Sequence, residues 1–275
     1  MNTLELVCVV VVAVWFVFRT LAHEGPRRDL YVRALLIAVS AWVAEDSAIR
    51  LYGFYFYAED RWTIWVDKVP LLILLIWPVV VTAAIDLLEG LAVRPGRWPL
   101  LMGAAVVADA FFIEPAAVDA GLWTWTEKGP FSIPTIGILG WGFFAVGVGV
   151  VLWRRWSLLT MVIVAPLVCH ALLLATWWGA FRWLAPIPEV AMAVVGWIAA
   201  VVVVSVISWF RPRGLRRQVL LRVPAAVFFF GLLWQYGQDP DDGPLVVWCL
   251  AFAPPWLSLM ALSSWHGAAG SRPAS

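Results

Sequence analysis

The sequence predicts an all-α fold: a polytopic transmembrane helix bundle of about nine helices (eight to nine), with an internal two-helix repeat. Three observations predict it. The 275 residues are 63% hydrophobic and only 13% charged, with a mean hydropathy of +0.87, a balance soluble domains of this size do not reach. Apolar runs recur near 4–22, 30–44, 69–91, 98–113, 133–153, 156–180, 189–210, 218–236 and 244–262, most of them long enough to cross about 30 Å of hydrocarbon as helices. Basic residues also collect in alternate loops. With the N-terminus outside, fourteen of nineteen fall on the cytoplasmic side, namely Arg19, Arg27, Arg28, Arg33, Arg94, Arg97, Arg154, Arg155, Arg211, Arg213, Arg216, Arg217, Arg222 and Arg272. The expected topology is therefore N-out and C-in, in a cytoplasmic (inner) membrane. The net charge of +1 points to no charged partner, and nucleic acid is not expected as one.

In chain order, the first run lacks a small-residue cleavage site after it and reads as a retained helix rather than a signal peptide. The runs at 30–44 and 98–113 are short, and are expected to continue into acidic motifs at their ends. Within 133–153, Gly140, Gly142, Gly147 and Gly149 lack the strand and the Lys-Ser/Thr ending of a phosphate loop, so they read as points of close helix approach. The Arg211 to Arg217 stretch reads as a topology determinant beside anionic lipid. The last two runs, poorer in interior polar groups, read as supporting scaffold. The expected organisation is a single transmembrane domain over 1–265, with repeat units about 30–92 and 98–155 and a disordered tail at 266–275.

The repeat carries the chemistry. Its first copy reads Glu45, Ala48, Ile49, Phe54, Phe56, Val69, Pro70 and Trp77; the second reads Glu114, Ala117, Val118, Trp123, Trp125, Ile133, Pro134 and Trp141. Spacing agrees from each glutamate to its second aromatic, and again from each Pro to its Trp. A duplicated unit brings two carboxylates to related places in one structure. Carboxylates inside or beside apolar segments are costly, which makes these two informative.

Other chemistries find no support. His23, His170 and His266 are scattered, no Cys or His spacing suits a metal, and Ser205 and Ser208 have no His partner in view. Cys8, Cys169 and Cys249 lie in separate apolar runs and imply no disulfide framework. No metal and no cofactor are expected. Structural readings account for several acids: Asp46 pairs with Arg50 four residues on, Asp60 and Asp67 are rim charges, and Asp86 and Glu89 sit near Arg94.

What remains is carboxyls and aromatic rings at one membrane face. Two carboxyls close together in an apolar site cannot both ionise cheaply, so one can keep a proton and give it to an alkene. Ring faces stabilise the resulting carbocation, and the second carboxylate orients water for its capture. The candidate catalytic residues are Glu45 and Glu114, with Asp109, a turn before Glu114, as a supporting acid. The candidate substrate-binding residues are Tyr52, Phe54, Tyr55, Trp123, Trp125 and Trp141. Helix-end or interhelical hydrogen bonding is the structural alternative for both glutamates, and an aromatic belt is the alternative for the rings.

The run from Asp109 to Pro115, followed by Gly121, Trp123, Trp125, Gly129, Pro130, Ile133, Pro134, Gly140 and Trp141, resembles the membrane carotenoid biosynthesis proteins that include bisanhydrobacterioruberin hydratase and the carotenoid 1,2-hydratases. Glu45, the Tyr52 to Tyr57 block, Pro70 and Trp77 extend the resemblance over roughly residues 30–155. Where such proteins often carry Asn three residues after the Ile-Pro pair, this chain has Gly137. The resemblance implies protonation of a terminal isopropylidene double bond and addition of water to the tertiary cation, on an acyclic or monocyclic carotenoid. A cyclase or isomerase of isoprenoid end groups shares the first step, and a non-catalytic pigment or lipid carrier is a third reading. The expected partners are a hydrophobic polyene or isoprenoid substrate and membrane lipid.

Overall fold

Two helical hairpins, each closed by an aromatic strand, form the centre of the molecule. In the computed structural model, which describes residues 3–269 apart from 24, 211 and 213, the first hairpin joins α2 (Arg27–Tyr52) to α3 (Leu71–Gly90), and the second joins α4 (Trp98–Asp119) to α5 (Thr135–Arg154). Gly53, at φ 62°, caps α2 with its N–H on Ile49, and Gly121, at φ 68°, follows the end of α4. The left-handed conformation costs glycine least, so each helix stops there and the chain turns back. The returning strands β1 (Tyr55–Tyr57) and β4 (Trp123–Trp125) pair antiparallel, Tyr55 opposite Trp125 and Tyr57 opposite Trp123. Each hairpin's second helix starts directly after an extended proline, Pro70 or Pro134. The two units thus meet through the antiparallel strand pair. A second small ladder, β2 (Trp65–Val66) with β3 (Val69–Pro70), lies in the first unit's loop.

The remaining helices surround this centre. α1 (Thr3–Leu21) packs on α3 and on α9 (Val223–Tyr236), and α6 (Met161–Gly179) packs on α2 and α5. α7 (Glu189–Phe210) lies against α10 (Gly243–Leu250) and α11 (Ala253–Ala269), with the single turn of α8 (Arg216–Leu220) before α9. α4 and α5 approach closely: a Cβ at Gly142 would stand 2.9 Å from the carbonyl oxygen of Gly103. This is the small-residue packing expected of membrane helices.

Eight segments are long and apolar enough to cross a membrane, among the described residues. α2 is the ninth long helix. Its 26 residues reach about 39 Å, with the charges that lower its hydropathy gathered toward both ends around the apolar stretch 34–44. The protein is an all-α, multi-pass membrane bundle. Large apolar side chains left exposed on α7, such as Val194, Ile198 and Val201, are what a lipid-facing helix presents.

Several expectations change. The runs at 218–236 and 244–262 are each broken, at 221–222 and at 251–252. Pro224, and Pro254 with Pro255, lack the N–H needed to continue a ladder and restrict the residue before them. Asp86 pairs with Arg19 at 2.7 Å rather than lying by Arg94. The Asp46–Arg50 pair forms as expected, and Arg50 also reaches Asp67. α11 runs to Ala269, so four residues assigned to a disordered tail are helical; 270–275, like Arg211 and Arg213, lie outside the described residues.

Candidate active site

Glu45 and Glu114 line one cavity. Each sits about two turns before its helix-ending glycine, so its carboxyl lies under the strand that folds back over the helix end. Successive strand residues face opposite sides. Tyr55 and Tyr57 therefore turn inward with Trp123 and Trp125, whereas Phe56, 52% exposed, and Thr124 turn out.

The glutamates are held almost wholly by rings. Glu114, 2% exposed, accepts from the indole N–H groups of Trp123 at 2.9 Å and Trp125 at 3.1 Å on Oε2, and of Trp141 at 2.6 Å on Oε1. Glu45, 8% exposed, accepts from the Trp77 indole on Oε1 and from the Tyr57 hydroxyl on Oε2. Trp77 and Trp141 are equivalent in the two units, two turns into α3 and α5. They stack with ring centroids 4.7 Å apart and planes 30° apart. Neither glutamate forms a salt bridge among the described residues, and both carboxyls belong to the same cavity wall. In the strand outside the helices, burial, then the negative charge of Glu45 once it ionises, holds the phenols of Tyr55 and Tyr57 well above the usual tyrosine range.

The cavity, counted together with the open space at its mouth, spans about 950 Å³. Its wall adds Phe54, Trp62, Phe144, Phe228 and Phe229 to the rings already named. Gly137 also belongs to it, and a Cβ there would stand 2.6 Å from the Trp125 ring. The Trp125 indole thus occupies the space that a side chain at 137 would need. His170, also in the wall, bonds Ser47 at 2.8 Å through Nε2, and its buried Nδ1 has no hydrogen-bond partner among the described residues.

Of the nine sequence-chosen residues, Glu45, Glu114, Phe54, Tyr55, Trp123, Trp125 and Trp141 meet at this cavity. Tyr52 does not line it; its ring stands outside, 5.1 Å from Phe54 and 5.4 Å from His170. Asp109 does not support Glu114. It is bonded at 2.6 Å to Arg222 and lines a different cavity, because five residues along a helix turn a side chain well away from its predecessor. The spacing match is also corrected by one residue. Gly53 follows Glu45 by eight positions and Gly121 follows Glu114 by seven, so Tyr55 and Tyr57, not Phe54 and Phe56, are the counterparts of Trp123 and Trp125. Sequence reasoning missed Tyr57 and Trp77 as site residues. The shared interval from Pro70 to Trp77 and from Pro134 to Trp141 was the signal for Trp77.

Chemically the arrangement offers two desolvated carboxyls with different neighbours. Indoles only donate, whereas a phenol both donates and accepts. Glu114 is therefore surrounded by groups that complement an anion, and Glu45 touches one group, the Tyr57 hydroxyl, able to accept a hydrogen bond from it when it is protonated. No family model, curated protein or solved structure matches the chain.

Proposed function

We propose that the protein is a carotenoid biosynthesis enzyme that hydrates the terminal double bond of an acyclic or monocyclic carotenoid without a cofactor. The observation that carries this reading is the pair of buried carboxyls, without a cationic partner among the described residues, in one ring-lined apolar cavity. Two like charges in such surroundings are costly, so the pair shares a proton. The different shells divide the roles. Glu45, beside the Tyr57 hydroxyl, carries the proton and gives it to the less substituted alkene carbon; Glu114, with three N–H donors, stays ionised. The tertiary cation lies between ring faces, each contact contributing about 0.5–2 kcal/mol when desolvated. Water adds to the cation and its surplus proton returns to Glu45, which restores the starting state and leaves a tertiary alcohol.

A polyene about as long as the bilayer is thick presents its end group at an interfacial pocket. Basic residues crowd the opposite face, near Arg94, Arg97, Arg154 and Arg155. By the positive-inside tendency that face is cytoplasmic, so the cavity opens toward the outer leaflet of the inner membrane, N-out and C-in.

A second reading, an isoprenoid end-group cyclase or isomerase, has its own support: a ring and not a polar side chain fills the space beside Gly137, leaving few groups to hold water. Co-expression in cells that make lycopene or its longer homologues, followed by mass spectrometry of the pigments, separates the readings. Gain of one water supports hydration, and an isomer of unchanged mass supports cyclisation. Unchanged pigment from well-folded protein, across that substrate range, favours a carrier and counts against the enzyme.

A further inference from the structure

A second cavity, about 1080 Å³ counted with the open space at its mouth, adjoins the first across the shared side chains of Ile113 and Phe229. Its wall is apolar and aromatic, with Trp15, Phe112, Phe230 and Trp256, and only Asp109 and Arg222 carry charge on it. Both broken spans meet there: Leu221 and Arg222 come from the break before α9, Phe252 and Ala253 from the break before α11. Interrupted helices inside a membrane bundle are tolerated where they line a cavity, and in transporters they build binding sites.

Arg222 is held in this cavity by two contacts. Its Nη1 donates to Asp109 Oδ2 at 2.6 Å, and its guanidinium lies 4.4 Å from the centre of the Trp256 ring. The side chain is only 12% exposed. Two further donors, Nε and Nη2, are buried without a hydrogen-bond partner among the described residues. These two N–H groups lie along one edge of the planar guanidinium, the fork that receives oxygen acceptors. Buried charged donors seldom go unsatisfied. Asp109 already balances the charge of Arg222, and an anionic head on the fork would sit beside the Asp109 carboxylate. An uncharged oxygen would accept from both donors without that repulsion.

We propose that this cavity is a second ligand site, taking a lipid-like alcohol or ketone whose apolar body fills the aromatic chamber and whose oxygen accepts from the Arg222 fork. The site goes beyond the reaction proposed above and does not depend on it. It also gives Asp109 a function: holding the Arg222 guanidinium at the chamber wall.

The test uses the full chain in lipid nanodiscs and a diazirine analogue of geranylgeraniol, with crosslinks mapped by mass spectrometry. Label is expected in 221–230 and 252–260. Geranylgeraniol should displace it at a concentration at least about tenfold lower than either geranylgeranoic acid or the hydrocarbon of the same chain, the scale of one hydrogen bond to a charged donor. Arg222→Lys keeps the charge beside Asp109 but removes the fork, and should abolish that preference. Ala226→Leu fills the chamber without touching the ion pair and should lower labelling itself, which keeps the test decisive if the Lys variant folds poorly. Equal competition by alcohol and hydrocarbon, a lead by the acid, or label confined to other helices overturns the proposal. None of these outcomes bears on pigment hydration at the glutamates.

Discussion

Trp77 and Trp141 stack 4.7 Å apart while their indole N–H groups point to different carboxyls, Trp77 to Glu45 and Trp141 to Glu114. One aromatic pair therefore fixes both acids, and displacement of either indole is felt at both. Replacing Trp by Phe keeps much of the ring and removes the donor. Because Glu114 is assigned the charge, Trp141→Phe should cost about 1.5–3 kcal/mol of transition-state stabilisation, roughly ten to a hundredfold in rate, and Trp77→Phe distinctly less. Initial rates of product formation in membranes check this. A larger loss for Trp77→Phe would reverse the roles of the two glutamates.

The acids themselves give a sharper contrast. Glu45→Gln removes the transferable proton and should lower turnover by about 10²–10⁴-fold. Tyr57→Phe leaves the acid but deletes its hydroxyl partner, and should produce a partial loss. Glu114→Gln keeps the shape, yet offers an NH₂ to a shell of indole donors, so both the cation's counter-charge and the local hydrogen bonding fail. Full turnover in both Gln variants, with pigment measured by mass spectrometry, would remove the basis for the proposed chemistry.

Gly137 tests how tightly the ring cage is built. A methyl group there meets three atoms of the Trp125 ring at 2.6–2.9 Å. The indole must move, and with it a donor to Glu114. Gly137→Ala is expected to destabilise the protein by about 1–3 kcal/mol, the usual cost of overpacking, and to lower activity. Adding Trp125→Ala should relieve the clash and recover thermal stability in detergent, without recovering activity. Additive losses in the double variant would show that the two positions do not interact.

What could be read beforehand follows from which forces leave local marks. A glutamate in an apolar run is conspicuous because it is costly, so Glu45 and Glu114 were legible without a structure. The fold class was legible for the same reason, since length and hydropathy decide what can cross hydrocarbon. Facing directions were not. One extra residue between Glu45 and Gly53 moves the inward aromatic positions from Phe54 and Phe56 to Tyr55 and Tyr57, and no spacing rule reveals where that residue is absorbed. The Asp109–Arg222 pair joins side chains 113 positions apart, and in sequence Arg222 counts only as one more basic residue at the cytoplasmic end of the 218–236 run. Pro224, Pro254 and Pro255 did mark the helix breaks that bring Arg222 inward.

Tyr55 and Tyr57 make stability depend on alkaline pH. Their phenols ionise well above the ordinary value when folded, chiefly through burial and then through Glu45. Above about pH 10 the unfolded chain releases these protons while the folded chain keeps them. Unfolding is then favoured as pH rises, so their contribution is complete below the unfolded pKa and declines beyond it. Thermal unfolding should show a steeper alkaline loss in the native sequence than in a Tyr55→Phe, Tyr57→Phe double variant. Parallel curves would mean that the two phenols titrate normally.

Arg19 and Asp86 form a second largely buried ion pair, 2.7 Å apart with side chains 9% and 11% exposed. Among the described residues, Arg19 has one other side-chain hydrogen bond, with His23 at 3.5 Å, and its Nε has no partner. Asp86→Asn therefore strands a guanidinium between α1 and α3, and should destabilise the bundle by about 3–5 kcal/mol. Replacing both members with apolar residues of similar volume, Arg19→Met with Asp86→Leu, removes both charges together and should cost far less. The comparison, made by thermal unfolding in detergent, separates attraction within the pair from the cost of an unpaired charge. If the double variant is as unstable as Asp86→Asn, the pair itself, and not the isolated arginine, is what α1 needs to dock on α3.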